Sequence, residues 1–495
     1  MNRFFQQPSW RLSILSGLIM GIATYPFSLG FFAWFGFVPL IHVLLHSSPK
    51  NGARNAFLFA LTFHLVSVYW IGNNSGASFG VVLLSLIAAV IYLSLFWGVF
   101  GYLFCLYRDK SGLGLLSLPF FIVSLEWLRS FGPLGFPWLN LALTQSHYLS
   151  LIQMIEITGS YGVTFWLTAV NGIFYILLTQ KQGVKQLSLA MAVFFLSLIL
   201  AGSARMRQFD AESKSVKVAV IQPNIDPNEK WDRASQGKTI SIMDSLHLVA
   251  IDLQPDLVLW PEAALPVYLR LNSQHRKRIQ AIVDQSKIPL LTGTVDRKKV
   301  DGERHYFNAS MYFTPNNAQS FYNKIHLVPF AEYIPISEYF PSLRKLNFGQ
   351  GNFTHGSDFT LFQLDSTFFS NIICYESSMP NMVRKFVKSG AEFLSIEAND
   401  GYLGNTAGPY QHFELARLRA IENRVSVIRA ANTGISGLIS ASGQVKEKIS
   451  LGTQKVFLAH VSYGNSGSFY TRYGDVFAIF CLGLLMIMGI RTWKN

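Results

Sequence analysis

The feature that most limits what this chain can become is a series of long apolar runs near 11–28, 30–47, 55–73, 81–107, 113–130, 157–180, 185–203 and 473–491. A bilayer core about 30 Å thick is crossed by roughly 20 helical residues. The runs therefore predict about eight transmembrane helices, seven ahead of a long polar interval and one behind it. Three segments are expected: a membrane domain over 1–204, a water-exposed domain over 205–472, and a final helix with its tail over 473–495. With 50% hydrophobic and only 14% charged residues, the chain is too apolar for an ordinary soluble enzyme.

The formal net charge of +13 would suit a nucleic-acid partner, but its distribution argues otherwise. Arg3 and Arg11 precede the first run, Lys50 and Arg54 the third, and Arg108 with Lys110 the fifth. Lys181 and Lys185 divide the sixth from the seventh, and Arg491 and Lys494 follow the last; the connections at 28–30 and 74–80 carry no Lys or Arg. By the positive-inside rule both termini are expected in the cytoplasm and the polar interval on the other face, the periplasmic one if the membrane is a bacterial inner membrane. The first run could also be read as a signal peptide. No small-residue cleavage site follows it, and a second run begins at once.

Within the polar interval, short apolar strands at 217–222, 257–260, 289–295, 308–313, 392–399, 426–432 and 436–441 alternate with helical patterns such as HRKRIQAIVDQSK and QHFELARLRAIENR. That order predicts a layered α/β domain. Two Gly- and aromatic-rich intervals, 339–356 and 399–410, read as long loops. Phe340, Leu343, Phe348 and Phe353 in the first could meet lipid or fold back into the core.

Cys105 and Cys481 fall inside apolar runs, so Cys374 in NIICYES is the one thiol of the polar interval and has no partner for a structural disulfide. A thiol is mostly protonated at neutral pH, so a nucleophilic Cys374 needs a base and a nearby cation. Glu262, ending the apolar strand DLVLWPE, could take its proton. Lys324, in NKIHLVPFAEYIP, could stabilise the thiolate and then, with the Tyr375 N–H, an oxyanion. Because WPE and CYE each follow an apolar strand, both can stand at one edge of a sheet.

The segments WPEAALP, NKIHLVPFAEYIP and IICYES resemble the three catalytic segments of the nitrilase superfamily of carbon–nitrogen hydrolases. Together with the apolar runs, LEWLRSFGPLGFPWLN at 125–140 and NDGYLGNTAGPYQHFELARLRAIENR, the chain is similar over nearly its whole length to the apolipoprotein N-acyltransferase family. The resemblance implies an αββα sandwich on a bundle of eight helices. It implies Glu262 as general base, Lys324 as oxyanion stabiliser and Cys374 as nucleophile, supported by Glu332, Tyr375 and Glu376. Trp231 matches an aromatic position near a substrate entrance, and Tyr402 stands where the family usually has Trp; with Phe348 and Phe353 these are the expected substrate contacts. The implied partners are a phospholipid acyl donor, expected to be phosphatidylethanolamine at sn-1, and a diacylglyceryl apolipoprotein acceptor.

A membrane-bound amidase using the same three residues is the enzymatic rival, and a ligand-binding transporter or receptor the non-enzymatic one. Few ionisable residues interrupt the apolar runs, which argues against ion-coupled transport. Glu126 and Arg129 could pair with each other or meet a headgroup, and His64 reads as a hydrogen-bonded interior histidine. His305, His326, His355 and His412 show no metal-ligand spacing, and no C-x-x-C pair or phosphate-cradling glycine motif is present. No cofactor, metal or nucleic acid is expected, and the chain is expected to act as a monomer.

Overall fold

The structure is a computed structural model that describes residues 3–25, 29–111, 113–180, 183–209, 214–300, 302–335, 352–464 and 467–494. The chain divides into two compact units: residues 1–72, 82–208 and 473–495 form one, and residues 73–81 with 209–472 form the other.

The first unit is helical and apolar. Among the described residues four helices are long and apolar enough to cross a membrane, at 49–73, 79–110, 161–179 and 184–209. The other expected spans are shorter apolar helices at 9–23, 29–45, 114–128 and 476–490, with a further one at 149–158. The second run is divided, a 3-10 turn over Leu29–Trp34 giving way to an α-helix over Val38–Leu45. Gly36 and Pro39 in this stretch disfavour a continuous helix. Small residues let neighbouring helices approach closely: a Cβ on Gly101 would lie 2.4 Å from the Gly52 carbonyl oxygen. Glu126 and Arg129 are both buried. The Glu126 carboxylate accepts from Thr164 Oγ1 at 2.6 Å and from Leu141 N at 2.7 Å, while Arg129 Nη2 donates to Asn140 Oδ1 at 3.3 Å. His64 is buried with Nδ1 3.1 Å from Ser94 Oγ.

Among the described residues the second unit carries twelve strands in two six-stranded sheets. In chain order they are β1 (Ser215–Gln222), β2 (Leu257–Leu259), β3 (Leu290–Val300), β4 (Glu303–Phe313), β5 (Gln319–Asn323), β6 (Phe362–Leu364), β7 (Thr367–Ile373), β8 (Phe393–Ala398), β9 (Ser426–Ala431), β10 (Ser436–Ile439), β11 (Val445–Ile449) and β12 (Lys455–Ser462). One sheet has the order β12-β1-β2-β3-β4-β5 and the other β11-β10-β9-β8-β7-β6. At the centre of each lies a parallel set, β1-β2-β3 and β7-β8-β9.

Side-chain alternation explains the layering. From β1, Val216, Val218 and Val220 join a core with Leu259, Tyr312, Phe369, Ile372, Ile396 and Val427, so the two sheets face each other. The alternate residues Ala219 and Ile221, with Val258, Trp260 and Met311, belong to a second core. Its helical residues are Met243 and Ala250 of α1 (Arg233–Asp252) and Ile279 and Val283 of α2 (Ser273–Ser286). Helices α3 (Pro380–Lys388) and α4 (Ala407–Asn423) supply Val383, Phe386, Phe413 and Ala416 to the first core. The result is an αββα sandwich.

Phe369 is fully buried between the sheets, its ring stacked on Phe393 at 5.0 Å. Phe369→Ala is expected to cost about 3–5 kcal/mol, read as a lower thermal unfolding temperature of the detergent-solubilised full chain. An unchanged temperature would contradict the central place given to this core.

Candidate active site

Parallel strands deliver their carboxyl ends to one edge, and in open α/β sheets that edge is where sites form. Glu262 lies just beyond β2 in one sheet and Cys374 directly beyond β7 in the other. Lys324 follows β5. Two turns at this edge hold non-glycine residues in the left-handed region, Ala263 at φ +46° and Cys374 at φ +50°. That conformation is uncommon for residues with a Cβ and clusters at functional sites. Cys374 opens a 3-10 turn, Cys374–Ser378, so the chain reverses sharply at the thiol.

Lys324 is the hub. Its ammonium is 2.9 Å from Glu332 Oε1 and 3.7 Å from Glu262 Oε1, and only 1% of the residue is exposed. Asn308 Nδ2 donates to both carboxylates, at 2.8 Å to Glu262 Oε1 and 2.8 Å to Glu332 Oε1. The Val328 N–H donates to Glu332 Oε2 at 2.7 Å, and the Lys324 N–H to the Asn308 carbonyl at 2.8 Å. Glu262 is held from behind by Gly293, where a Cβ would come 2.5 Å from the Glu262 Cα. Fixed, charge-assisted bonds of this kind restrict both carboxylates to one geometry.

The charges act on the thiol in opposite directions. Burial and then the Glu262 carboxylate push the Cys374 thiol well above its ordinary value, against the pull of Lys324. Burial opposes the charge on Lys324, but Glu332 and Glu262 outweigh it and hold the ammonium above its ordinary value. The resting arrangement at neutral pH is therefore a protonated thiol beside an ionised lysine. A thiolate would form only as its proton leaves for a neighbouring base.

Glu376 lies elsewhere. Its carboxylate accepts from Tyr322 Oη at 2.7 and 2.8 Å, from Ile325 N at 2.7 Å, from His326 N at 3.0 Å and from Ile373 N at 2.8 Å. It thus ties the segment carrying Lys324 to the residue preceding Cys374. Burial pushes this carboxyl up to about 7, against Lys324 and its hydrogen bonds. Tyr375 is buried, its ring stacked on His326 with centroids 5.8 Å apart.

A further buried group stands behind the cysteine backbone. The Cys374 carbonyl accepts from Ser377 Oγ at 2.9 Å and lies 3.0 Å from His412 Nε2. His412 Nδ1 is 2.7 Å from Asp400 Oδ1, and Arg429 Nη2 donates to Asp400 Oδ2 at 2.6 Å. Burial would raise the Asp400 carboxyl, but His412 and Arg429 overcome it and hold Asp400 down at about 2. Cys374, Asp400 and His412 offer potential metal-ligand atoms within 4.8 Å of one another, a grouping their sequence spacing does not reveal. Both ring nitrogens of His412 already face oxygen partners, so hydrogen bonding accounts for the cluster. Asn308, Tyr322, Asp400, His412 and Arg429 all escape a reading of motifs. Asp400 and His412 do lie within the stretch 399–424, which resembles the family as a block.

Of the expected substrate contacts, Trp231 is 41% exposed. Tyr402 follows β8 and its hydroxyl donates to the Pro227 carbonyl at 3.4 Å; burial raises its phenol to about 12. Residues 73–81 reach the same place: Ser75 N donates to the Tyr402 carbonyl at 2.9 Å, and Asn228 Nδ2 to Ser75 Oγ at 2.9 Å. Phe353 is half-buried and its N–H donates to the Glu332 carbonyl at 2.7 Å, which keeps it near the hub. Phe348, like Phe340 and Leu343, lies outside the described residues.

Residues 217–470 match the family described as carbon-nitrogen hydrolase, and the buried Glu262 and Lys324 and the partly buried Cys374 stand at the carboxyl edges of the αββα sandwich within that stretch. Residues 16–173 match the apolipoprotein N-acyltransferase N-terminal domain. Apolipoprotein N-acyltransferase of Geobacter metallireducens is 31% identical, over 98% of this chain and 95% of the relative. That of Chlorobaculum tepidum is 32% identical, over 99% and 97%. Among solved structures, an amidase from Nesterenkonia sp. AN1 is similar at 16% identity and a TM-score of 0.37, over 52% of this chain and 96% of that one. The chain belongs to the apolipoprotein N-acyltransferase family.

Two outcomes follow from the electrostatics. In Glu262→Gln the carboxylate that helps raise the thiol is gone while Lys324 remains, so the Cys374 titration midpoint should fall. Ultraviolet thiolate absorbance, taken as a difference from Cys374→Ala, reads this; a midpoint that rises would contradict the assigned coupling. Glu376→Gln sets an amide N–H against backbone N–H donors, at a cost of about 1–3 kcal/mol. Lower unfolding temperature with impaired activity is expected, and unchanged values of both would remove Glu376 from the positioning role.

Proposed function

We propose that the chain transfers an acyl group from a phospholipid to the α-amine of a diacylglyceryl-cysteine at the N-terminus of an apolipoprotein, by way of a thioester on Cys374. The observation that carries this reading is the meeting of Glu262, Lys324 and Cys374 at one buried edge, in a chain whose apolar half matches the N-terminal domain of this family.

In the first half-reaction Glu262 takes the Cys374 proton as Sγ attacks the ester carbonyl. The Lys324 ammonium and the Tyr375 N–H stabilise the resulting oxyanion. As the intermediate collapses, the C–O bond breaks and Glu262 returns the proton to the leaving lysophospholipid oxygen. In the second half the acceptor amine attacks the thioester, Glu262 takes a proton from the nitrogen and passes it to the departing sulfur as the C–S bond breaks, regenerating the thiol and the carboxylate. Glu332 and Asn308 hold Lys324 and Glu262 in register throughout, and Glu376 holds the segments that carry Lys324 and Cys374. The donor is phosphatidylethanolamine, giving up its sn-1 chain, and the order of events is ping-pong.

The same reading places eight spans in a bacterial inner membrane, over 1–204 and 473–495, with both termini cytoplasmic and residues 205–472 in the periplasm. The charge pattern supports it. So does the chemistry: extracting acyl chains into water costs about 0.8 kcal/mol per CH₂, so donor and acceptor are best met at the bilayer surface. Water must be kept from the thioester, since hydrolysis would turn transfer into lipolysis.

Exposure of the purified protein to phosphatidylethanolamine should add the mass of one acyl group, absent in Cys374→Ala, and a diacylated lipopeptide should discharge it. Ammonia released from a small amide, with no acyl adduct from phospholipid, would favour the amidase instead.

A further inference from the structure

The edge that carries Glu262 and Cys374 holds a second buried ammonium that the acyl-transfer chemistry does not use. Lys230 closes a turn after β1, its N–H donating to the Asp226 carbonyl at 3.1 Å. The turn is fixed to the loops beyond β8 and β9. Asn224 N donates to the Asn432 carbonyl at 3.0 Å, Ile225 N to Asn432 Oδ1 at 3.1 Å, and Asn432 Nδ2 to the Ile225 carbonyl at 2.8 Å. The Tyr402 hydroxyl bonds Pro227 on the same turn.

Lys230 is only 1% exposed, yet among the described residues its ammonium has neither a carboxylate partner nor a hydrogen-bond acceptor. The sequence neighbour, Trp231, is 41% exposed, so a buried cation and an open aromatic surface stand side by side. Burial pulls the Lys230 ammonium down to about 8, and the charge that holds it up is Glu262, which places it within the field of the reacting group. At neutral pH it is mostly charged. A desolvated, unpaired cation is costly to keep, and an arriving anion would relieve that cost.

We infer that Lys230 is the anion subsite of the acyl donor, binding the phosphodiester of the phospholipid while its ester carbonyl lies at Cys374. The inference rests on the acyl-transfer reading above. In a glycerophospholipid the phosphate lies a few covalent bonds from the sn-1 ester, so an anion site at the same sheet edge as the thiol suits one molecule reaching both. A phosphodiester and free phosphate share this chemistry. The bland alternative is that Lys230 only offsets the charge of Glu262.

The test compares two acyl donors on the full-length protein, phosphatidylethanolamine in vesicles and a phosphate-free 4-nitrophenyl fatty ester, with Cys374 acylation followed by intact mass. A charge-assisted hydrogen bond is worth about 1.5–3 kcal/mol, so Lys230→Met and Lys230→Gln should each lower the ratio of phospholipid to nitrophenyl-ester rates by roughly 10–100-fold, and Lys230→Arg should restore most of it. The nitrophenyl-ester rate also reports whether each variant is folded. An unchanged ratio, with both rates slowed alike, would overturn the inference and leave Lys230 as a balance for Glu262. Inorganic phosphate provides the second arm: inhibition that Lys230→Met relieves while the donor ratio stays unchanged would assign the subsite to free phosphate and overturn the lipid assignment. Wild-type protein acylated by the nitrophenyl ester but not by phospholipid would instead sink the function proposed above.

Discussion

The arrangement depends on one ammonium group held between two carboxylates in the interior. Removing three charges from water is expensive, and the Lys324 site meets that cost by placing Glu332 in direct contact, Glu262 slightly farther away, and Asn308 across both. The asymmetry has chemical meaning. Glu332 takes the shorter contact and a backbone donor from Val328, leaving Glu262 the more loosely bound of the two. A carboxylate that is to accept a proton should not be fully committed to a cation.

A second level of organisation keeps this hub opposite the thiol, because Lys324 and Cys374 come from different sheets. Glu376 crosses that gap with hydrogen bonds to Tyr322, Ile325, His326 and Ile373. Behind the cysteine, Ser377 and His412 flank its carbonyl, and Asp400 with Arg429 fixes the histidine. The left-handed backbone at Cys374 is thus held by partners on both sides, as a strained turn must be.

Glu262, Lys324 and Cys374 were legible in the sequence because each sits beside a strand or in a short, dense motif. The parallel strands were legible for a related reason: buried on both faces, they carry short apolar runs, continuous in LVLW and broken by buried polar residues in EFLSIEAN. Edge strands were not. Val445–Ile449 reads VKEKI, with three of its five side chains exposed, and Phe362–Leu364 is only three residues long. Asn308 and Tyr322 were hidden because a polar residue inside a strand gives no hint of which distant group it will meet. The eight apolar runs were visible, yet only four described helices have the length to cross a bilayer unaided. The second run, with Gly36 and Pro39, is divided in a way that hydropathy averages over.

Residues 73–81 fold with the second unit although the chain on either side of them, 1–72 and 82–208, belongs to the first. The chain therefore passes between the units four times. Ser75 must wait for Asn228 and Tyr402, whose codons are translated far later, before its hydrogen bonds can form. Contacts so distant along the chain carry a loop-closure cost and form slowly. During synthesis the hydrogen bonds of this short link can form only once the chain has been made as far as Tyr402.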